Sequence, residues 1–213
     1  SWEYVAVMNQ EKGTEVVVDW EDDTSVRMSA AQLYELVFEG NNKWMLSANG
    51  TIFTYEYEAI IPGLLKRWYE ERQEMQRKMR ECGDNEIERE YWDKRQLVKK
   101  INLNSLYGAI LNPGCRFFDI RIGQSVTLTG RCITKHMASK VNEIVTGEYD
   151  HKGESIVYGD TDSVYFSAYK TLQKEIKDGL IPWTKDSVVG LYDKISEEVN
   201  SSFKSFMTKA FHT

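Results

Sequence analysis

The 213-residue chain is 41% hydrophobic and 12% aromatic, which suits one large folded domain or two small ones and excludes a disordered chain. No apolar run approaches the roughly 20 residues of a membrane-spanning helix, and residues 1–13 lack the basic and then apolar pattern of a signal peptide. The net charge of −6 argues against a protein that binds nucleic acid with its whole surface, but not against one local basic track.

The first third of the chain predicts short elements of both kinds. The valine-rich stretch TEVVVDW (14–20) indicates a strand. SAAQLYELVFEG (29–40) predicts a helix, because a serine suited to capping precedes apolar residues at helical spacing and a glycine follows them. KWMLSANGTIFTYE (43–56) contains two β-type runs around Asn49 and Gly50, which is a strong signal for a hairpin.

A long charged segment follows over residues 63–110, and Pro62 before it suits the start of a helix. CGDN (82–85) interrupts the helical pattern, so the segment predicts two antiparallel helices joined by a tight turn. Residues 64–100 carry 11 Lys and Arg against 9 Asp and Glu, a local charge of +2 in an acidic chain. That charge also fits a solvated helical hairpin with intrahelical ion pairs, so it does not by itself indicate a binding surface.

The remaining stretch alternates between β-type and helical patterns. CRFFDIRI (115–122) indicates a strand, residues 124–145 a helix with one apolar face, SIVYGDTDSVYFS (155–167) a β-hairpin, and residues 185–207 a second amphipathic helix. The element order therefore predicts an α+β protein in which a helical arm is inserted into a body of sheet and helices.

Two aspartates, Asp160 and Asp162, stand one residue apart at the tip of the predicted 155–167 hairpin. Side chains alternate along a strand, so the two carboxylates can point to the same side. Two like charges this close need a positive partner, and an oxygen-rich site suits a hard divalent cation such as Mg²⁺. The alternative is a turn whose carboxylates are solvated and bond only to nearby backbone.

The segment KKINLNSLYGA (99–109) places three polar residues on one helical stripe, because Lys100, Asn104 and Tyr107 are spaced i, i+4, i+7. This set suits a surface that meets phosphate, sugar and base edges. Gly108 removes a side chain where another body can approach closely. The alternative is an ordinary polar helix face that ends at a glycine.

Together, KINLNSLYG (100–108) and, about fifty residues later, YGDTDS (158–163) closely resemble two motifs of the family B DNA polymerases. FFDIR (117–121) and KVNEIV (140–145) are most similar to the replicative polymerases of T-even-like bacteriophages. The resemblance is strong over residues 99–167, moderate over 45–98 and weak over the rest.

The resemblance implies a fold. It is that of a partial polymerase palm, an antiparallel sheet with packed helices, into which an antiparallel two-helix fingers arm is inserted. Residues 1–62 would be a palm-associated segment with a β-hairpin near 43–56. Residues 63–110 would be the fingers, and residues 111–213 the palm with the DTDS hairpin.

The resemblance also implies roles for residues of the hairpin and the arm. Asp162 would be the principal metal-binding carboxylate and Asp160 its assistant, both of them catalytic, and Thr161 between them would contact the DNA or nucleotide substrate. Three arm positions would face the nucleotide or the nascent base pair: Asn104 on the nucleotide-facing stripe, and Tyr107 and Gly108 against the base pair.

Two basic residues would hold the incoming triphosphate. Lys100 would contact it from the second arm helix, and Arg72 matches a family arginine on the first. The chain departs from the family pattern one turn later, where a further lysine is replaced by Gln76 with Arg77 beside it. The family's second contact from the first arm helix therefore has no matching lysine in this chain.

The resemblance implies template-directed nucleotidyl transfer, with primer-template DNA and dNTP as substrates. The cofactor would be two Mg²⁺ ions, for which Mn²⁺ can substitute. The expected location is the cytoplasm, which would be the host cell's cytoplasm if the protein is viral. The three scattered cysteines agree with a reducing compartment.

Family B enzymes need a further aspartate in a D-x-x-S-L-Y-P-S segment, and DWEDDTSV (19–26) lacks that pattern. We therefore expect a palm–fingers portion of a polymerase that is inactive alone. It would work with a separate polymerase segment that carries the exonuclease and the first catalytic aspartate, and no membrane partner is expected.

Two other functions are alternatives to this one. A non-catalytic binding or assembly module of a split polymerase would keep the fold without using the carboxylates. A different palm-type nucleotidyltransferase is disfavoured, because the hairpin reads DTDS rather than two adjacent aspartates and the arm motif is intact.

Overall fold

The computed structural model describes Val5 and residues 11–213. They form two compact units: the described residues up to Phe53 join Ser125–Thr213 in the first, and Thr54–Gln124 make the second. Residues 1–4 and 6–10, on which the prediction about a signal peptide mainly rests, lie outside the described part. Helices and antiparallel strand pairs are both present, so the mixed α+β prediction is confirmed.

The first unit opens with an antiparallel pair of strands, β1 (Glu15–Asp19) and β2 (Ser25–Ser29), in which Val17 lies opposite Arg27. The valines of β1 predict that strand from the sequence. Strand β2 is not predicted, because its residues SVRMS are too polar to indicate a strand by themselves.

Helix α1 (Ala30–Tyr34) begins with reciprocal capping. The Ser29 hydroxyl accepts a hydrogen bond from the Gln32 backbone N–H, and the Gln32 side chain accepts one from the Ser29 N–H. The helix continues into a π-helical turn over Glu35–Glu39, closed by a 2.8 Å bond from the Gly40 N–H to the Glu35 carbonyl. The predicted helix is thus confirmed, and its last turn is wider than an α-helical one.

Strands β3 (Trp44–Leu46) and β4 (Ile52–Thr54) form the hairpin predicted around Gly50, which adopts the left-handed conformation (φ 89°) that glycine tolerates best. A small core packs beneath these elements. Its buried residues are Val5, Val18, Ala30, Leu33, Val37 and Leu46.

The second half of the first unit holds the long helix α6 (Lys185–Phe211) and the long helix α4 (Ile120–Thr146) from Ser125 onward. It also holds the hairpin β5 (Ile156–Asp160) and β6 (Ser163–Phe166) and the short helix α5 (Gln173–Lys177). Both long helices and the hairpin agree with the prediction. The helices and the hairpin share a core whose fully buried members are Val141, Ile195 and Val199.

The second unit is dominated by helices α2 (Ile60–Glu81) and α3 (Glu86–Ile110), which the turn 82–85 joins. Arg72 contacts Gln96, and further along α2 Lys78 contacts Trp92, which precedes Gln96 in α3. The two helices therefore run in opposite directions. The predicted antiparallel helix pair is confirmed.

The predicted strand over 115–122 is wrong. Residues 112–118 form turns, in which the Cys115 N–H bonds the Asn112 carbonyl at 2.9 Å, and helix α4 begins at Ile120. The Asp119 carboxylate accepts the Arg121 backbone N–H at 2.8 Å and so caps the helix start. This local bond outweighs the β propensity of the aromatic residues.

The strands of the described part also form three separate two-stranded ladders, and not the single antiparallel sheet that the prediction implied. The cysteines Cys82, Cys115 and Cys132 are free, as expected. Across the described residues, every helix is too short or too polar to pass through a lipid bilayer.

Candidate functional site

The hairpin β5–β6 places the two aspartates at its tip. Asp160 is the last residue of β5 and pairs with Ser163, so Thr161 and Asp162 form a two-residue turn. Asp160, Thr161 and Asp162 are all exposed. At the other end of the hairpin, Ile156 packs against the core beneath it.

A β-bulge decides which side of the hairpin Asp160 occupies. Ile156 pairs with Phe166, and Tyr158 pairs with Tyr165, so Val157 is one extra residue in β5. Ile156 and Phe166 face the core, whereas Tyr158 and Tyr165 face solvent as a cross-strand aromatic pair with ring centroids 5.9 Å apart. Asp160 follows Tyr158 by two residues and therefore shares the solvent face.

The turn itself is ordered by the Asp160 carboxylate. Its Oδ1 accepts the Thr161 backbone N–H at 2.8 Å and the Thr161 hydroxyl at 2.9 Å. Thr161, predicted to contact substrate, thus has its hydroxyl directed at its neighbour within the turn. Asp162 presents its carboxylate from the second position of the turn.

These carboxylates suit a hard divalent cation in kind, because oxygen ligands are what such cations prefer. Among the described residues, no group of three or more Asp, Glu, His or Cys is placed to hold a metal ion. The turn therefore offers an open set of two carboxylates. Such a set is adequate for Mg²⁺, which proteins usually hold through one or two carboxylates while water and substrate phosphates complete its shell.

Helix α4 holds the hairpin at both ends. At the turn, the Thr134 hydroxyl donates to the Thr161 carbonyl at 2.7 Å. At the entry to β5, the buried Asn142 amide oxygen accepts the Ser155 hydroxyl at 2.7 Å. The hairpin is thus fixed to one rigid helix on either side of its apolar contacts.

The predicted polar stripe of the arm runs along α3. Lys100 and Asn104 are exposed, whereas Tyr107 is half-buried and donates its hydroxyl to the Gly123 carbonyl at 3.3 Å. Within the stripe, Tyr107 is therefore less open to solvent than Lys100 and Asn104. Gly108 is exposed, and a Cβ built on it would have no atom within 4 Å.

Arg72 lies beside the start of this stripe. Its Nε donates to the Gln96 Oε1 at 3.2 Å, and Gln96 precedes Lys100 by one helical turn on the same face of α3. Arg72 and Lys100 are therefore on the same side of the helix pair. Sequence reasoning missed Gln96, although its i−4 spacing from Lys100 was a usable signal.

An ion pair next to the stripe ties the two helices together. Lys99 Nζ lies 2.5 Å from a Glu71 carboxylate oxygen, and the ammonium is also 5.8 Å from the Trp68 ring centroid. The hydrogen bond from Lys99 lowers the pKa of Glu71 below its ordinary value. The adjacent Lys100 is exposed.

The position at which the chain departs from the family pattern is also well defined. Gln76 is half-buried, and the neighbouring Arg77 forms intrahelical ion pairs with Glu74 at 2.6 Å and Glu81 at 2.7 Å. These hydrogen bonds raise the pKa of Arg77 further above its ordinary value. Arg77 is thus engaged within α2.

The aspartate pair belongs to the first unit and the arm residues belong to the second. Within the first, Asp160, Thr161 and Asp162 lie together on one turn. Within the second, Arg72, Lys100 and Asn104 share one side of the helix pair.

Comparison with known proteins assigns the chain to a family. A family model described as DNA polymerase family B matches residues 14–206, which is most of the chain. The chain belongs to DNA polymerase family B.

Relatives within this family come from several kinds of organism. The DNA-directed DNA polymerase of Escherichia phage RB69 is 40% identical over 80 residues, which are 37% of this chain and 9% of that protein. The DNA polymerase of Pyrococcus glycovorans is 36% identical over 126 residues, or 59% of this chain and 15% of that protein. The DNA polymerase delta catalytic subunit of Oryza sativa subsp. japonica is 35% identical over 109 residues, which are 50% of this chain and 10% of that protein.

The chain thus spans less than a sixth of the length of these family B polymerases. Phage, archaeal and plant enzymes match at similar identity, so the comparisons establish the family and not one branch within it.

Proposed function

We propose that the chain supplies the palm–fingers portion of a DNA-directed DNA polymerase. The observation that carries the proposal is the exposed two-residue turn with Asp160 and Asp162, in a chain that belongs to DNA polymerase family B. The similarity of 117–121 and 140–145 to T-even-like phage sequences favours a phage replicative enzyme as its source.

Asp160 and Asp162 would hold Mg²⁺, or Mn²⁺ in its place, together with ligands from substrate and from another polymerase segment. The chemistry that bound metal would supply at these carboxylates is activation of the primer 3′-hydroxyl and neutralisation of charge on the leaving pyrophosphate. The bulge at Val157 supports this role, because it places Asp160 on the solvent face while Ile156 stays in the core.

On the arm, Arg72 and Lys100 would bind the triphosphate of the incoming dNTP. Their position on the same side of the helix pair supports this role, since a triphosphate needs positive charge from more than one direction. Asn104 continues the exposed stripe beyond Lys100 and would face the nucleotide.

Gly108 would let the nascent base pair approach the arm. A Cβ at this position would touch nothing in the described structure, so the fold of these residues does not itself demand glycine. Close approach of a substrate does explain it. Tyr107 would support the same surface from its half-buried position, where the Gly123 carbonyl fixes its hydroxyl.

A separate polymerase segment, carrying the exonuclease and the first catalytic aspartate, would complete the site. The described residues provide two clustered carboxylates and no third ligand near them, which supports a need for such a partner. The chain alone is therefore expected not to extend a primer.

The test is primer extension by the chain combined with that segment, comparing wild type with Asp162→Asn. The variant should lower the extension rate on the order of a thousandfold, because metal-assisted catalysis supplies several kcal/mol of barrier reduction. Asp193→Asn, which removes the same charge from an exposed position of α6, should leave the rate unchanged. Normal extension by Asp162→Asn would contradict the proposal and favour a non-catalytic assembly module.

A further inference from the structure

The Thr134 side chain reaches from α4 to the aspartate-bearing turn. Its hydroxyl lies 2.7 Å from the Thr161 carbonyl oxygen and 3.1 Å from the Gly130 carbonyl oxygen within its own helix. A hydroxyl has one proton to donate, and 2.7 Å is an ordinary length for an O–H···O bond. The stronger bond is therefore the one to the turn.

The atom that Thr134 holds matters, because the Thr161 carbonyl and the Asp162 nitrogen belong to one planar peptide unit. Fixing that oxygen fixes the plane from which the Asp162 backbone continues. On its other side, Thr161 donates its N–H and its hydroxyl to Asp160 Oδ1. One residue thus connects the helix to both carboxylate positions.

The remaining anchors of the hairpin lie further from the turn. Ile156 and Phe166 pack against the core around Val141, and Ser155 bonds to Asn142. Asn142 lies eight residues after Thr134, about 12 Å along the helix axis at 1.5 Å per residue. These contacts hold the base of the hairpin, whereas Thr134 acts at its tip.

We propose that Thr134 is a positioning residue for Asp160 and Asp162: its hydroxyl fixes the Thr161–Asp162 peptide and so sets where the two carboxylates meet the reacting groups. The inference rests on the proposed polymerase function for its consequence in catalysis, but its structural part can be tested without activity.

The structural test measures amide exchange at Thr161, whose N–H is bonded to Asp160 Oδ1, by nuclear magnetic resonance in the 213-residue chain. Thr134→Val keeps the branched shape and removes the donor. It should speed exchange at the Thr161 amide about fivefold, the factor expected from losing one hydrogen bond of ordinary net strength. Thr134→Ser keeps the hydroxyl and should restore rates close to wild type.

The matched control is Thr146→Val. The Thr146 hydroxyl makes the same kind of bond within α4, to the Asn142 carbonyl at 2.8 Å, and it accepts the Glu148 N–H at 3.3 Å. This variant should leave exchange at the turn unchanged. Unchanged exchange in Thr134→Val, or equal acceleration in Thr134→Ser, would overturn the positioning role.

The catalytic consequence is measured in the assembly that extends primers. Thr134→Val should lower kcat by tenfold or more, since small misplacements of catalytic groups cost about a hundredfold. The KM for dNTP should stay near wild type, because the arm binds the nucleotide. A rise in KM with constant kcat would contradict the proposal.

The two proposals fail in different ways. If Asp162→Asn extends normally, the polymerase function fails whatever Thr134 does. If Asp162→Asn is inactive but Thr134→Val keeps wild-type kcat, the function stands and the positioning role falls.

Discussion

His136 is a buried histidine whose bonds define the tautomer of its neutral ring. Its Nδ1 lies 2.7 Å from the Tyr149 hydroxyl and its Nε2 lies 3.0 Å from the Ser202 hydroxyl. Ser202 already donates its proton to the Val199 carbonyl at 2.6 Å, so Nε2 donates to Ser202, and in the neutral ring Nδ1 accepts from Tyr149. The ring, stacked on Phe206, is therefore fully bonded in its neutral form.

Protonation of this ring should destabilise the first unit. Burial lowers the pKa of His136 below its ordinary value, and the nearby Lys140 lowers it further while Glu143 opposes the shift. Below about pH 6.5, the ordinary histidine pKa, the unfolded chain binds a proton that the folded chain resists, so stability falls with falling pH. Above that pH this contribution is constant.

Urea unfolding between pH 5 and 8 measures the effect. The free energy of unfolding should decrease from pH 7.5 to 5.5 in the wild type, and His136→Phe should flatten this slope. His151→Gln, at a loop position, should retain the slope. A wild-type curve that rises toward pH 5.5 would contradict the assignment.

Gly153 and Asn142 form a close contact that fixes the entry to the hairpin. Asn142, 1% exposed, donates to the Glu148 carbonyl at 2.8 Å and accepts from Ser155. A Cβ on Gly153 would overlap the Asn142 amide.

Gly153→Ala should therefore displace that amide and lower the free energy of unfolding by roughly 1–3 kcal/mol, the cost of leaving buried polar groups unsatisfied. The control is Gly190→Ala in α6, where a Cβ meets nothing within 4 Å and alanine should stabilise by up to about 1 kcal/mol. Denaturant titration of both variants checks the difference. Equal effects from the two substitutions would show that the overlap is relieved without cost.

At the scale of single elements, the arm helix α3 depends on its first residues. The Asn85 side chain accepts the Glu88 N–H at 3.2 Å and donates to the Glu88 carboxylate at 3.2 Å. Asn85→Ala should lower the free energy of unfolding of the second unit by about 1 kcal/mol, whereas Asn85→Asp should retain the cap. Helix content followed through thermal unfolding tests this, and similar losses in both variants would argue against a capping role.

Several elements could be predicted from local patterns, and the exceptions have physical causes. The capping residues Ser29 and Gln32 predict the start of α1, and Gly50 predicts the β3–β4 hairpin, each from a few neighbouring residues. The 115–122 segment misleads because its aromatic residues favour a strand, while the Asp119 carboxylate caps a helix. Strand β2 depends on pairing with β1, which composition does not reveal.

The same limit applied to the candidate site. Asp160, Asp162 and Lys100 could be named from their motifs, because motif spacing is a local property. Thr134 and Gln96 act through contacts 27 and 24 residues away in the chain. The spacing of Gln96 from Lys100 places it on the stripe, but no local pattern shows that Gln96 meets Arg72 or that Thr134 meets Thr161.

At the scale of the whole molecule, the two units differ in how much they bury. Within the described part, α2 has no fully buried residue and α3 has one, Ile110, whereas α6 has five. Local opening is easiest where few apolar contacts must be broken.

Amides of α2 and α3 should therefore exchange with solvent on the order of tenfold faster than those of the central turns of α6, which corresponds to about 1.4 kcal/mol of opening free energy. Hydrogen exchange followed by mass spectrometry resolves these helices. Equal protection of residues 60–110 and 185–211 would mean that contacts beyond the buried core stabilise the arm.

The bulge at Val157 decides how the length of strand β5 relates to the faces on which Ile156 and Asp160 lie. Ile156 and Asp160 stand four residues apart, an even distance that would return both side chains to one side of a regular strand. The extra residue Val157 shifts the alternation of side chains by one position, so Ile156 and Asp160 lie on opposite faces. While the bulge is present, a single insertion or deletion between Tyr158 and Asp160 would turn the carboxylate toward the core. Deletion of Val157 would instead remove the bulge together with the extra residue, and both side chains would keep their present faces. The length of β5 and the presence of the bulge are therefore coupled, because a change of one residue in either requires a change in the other.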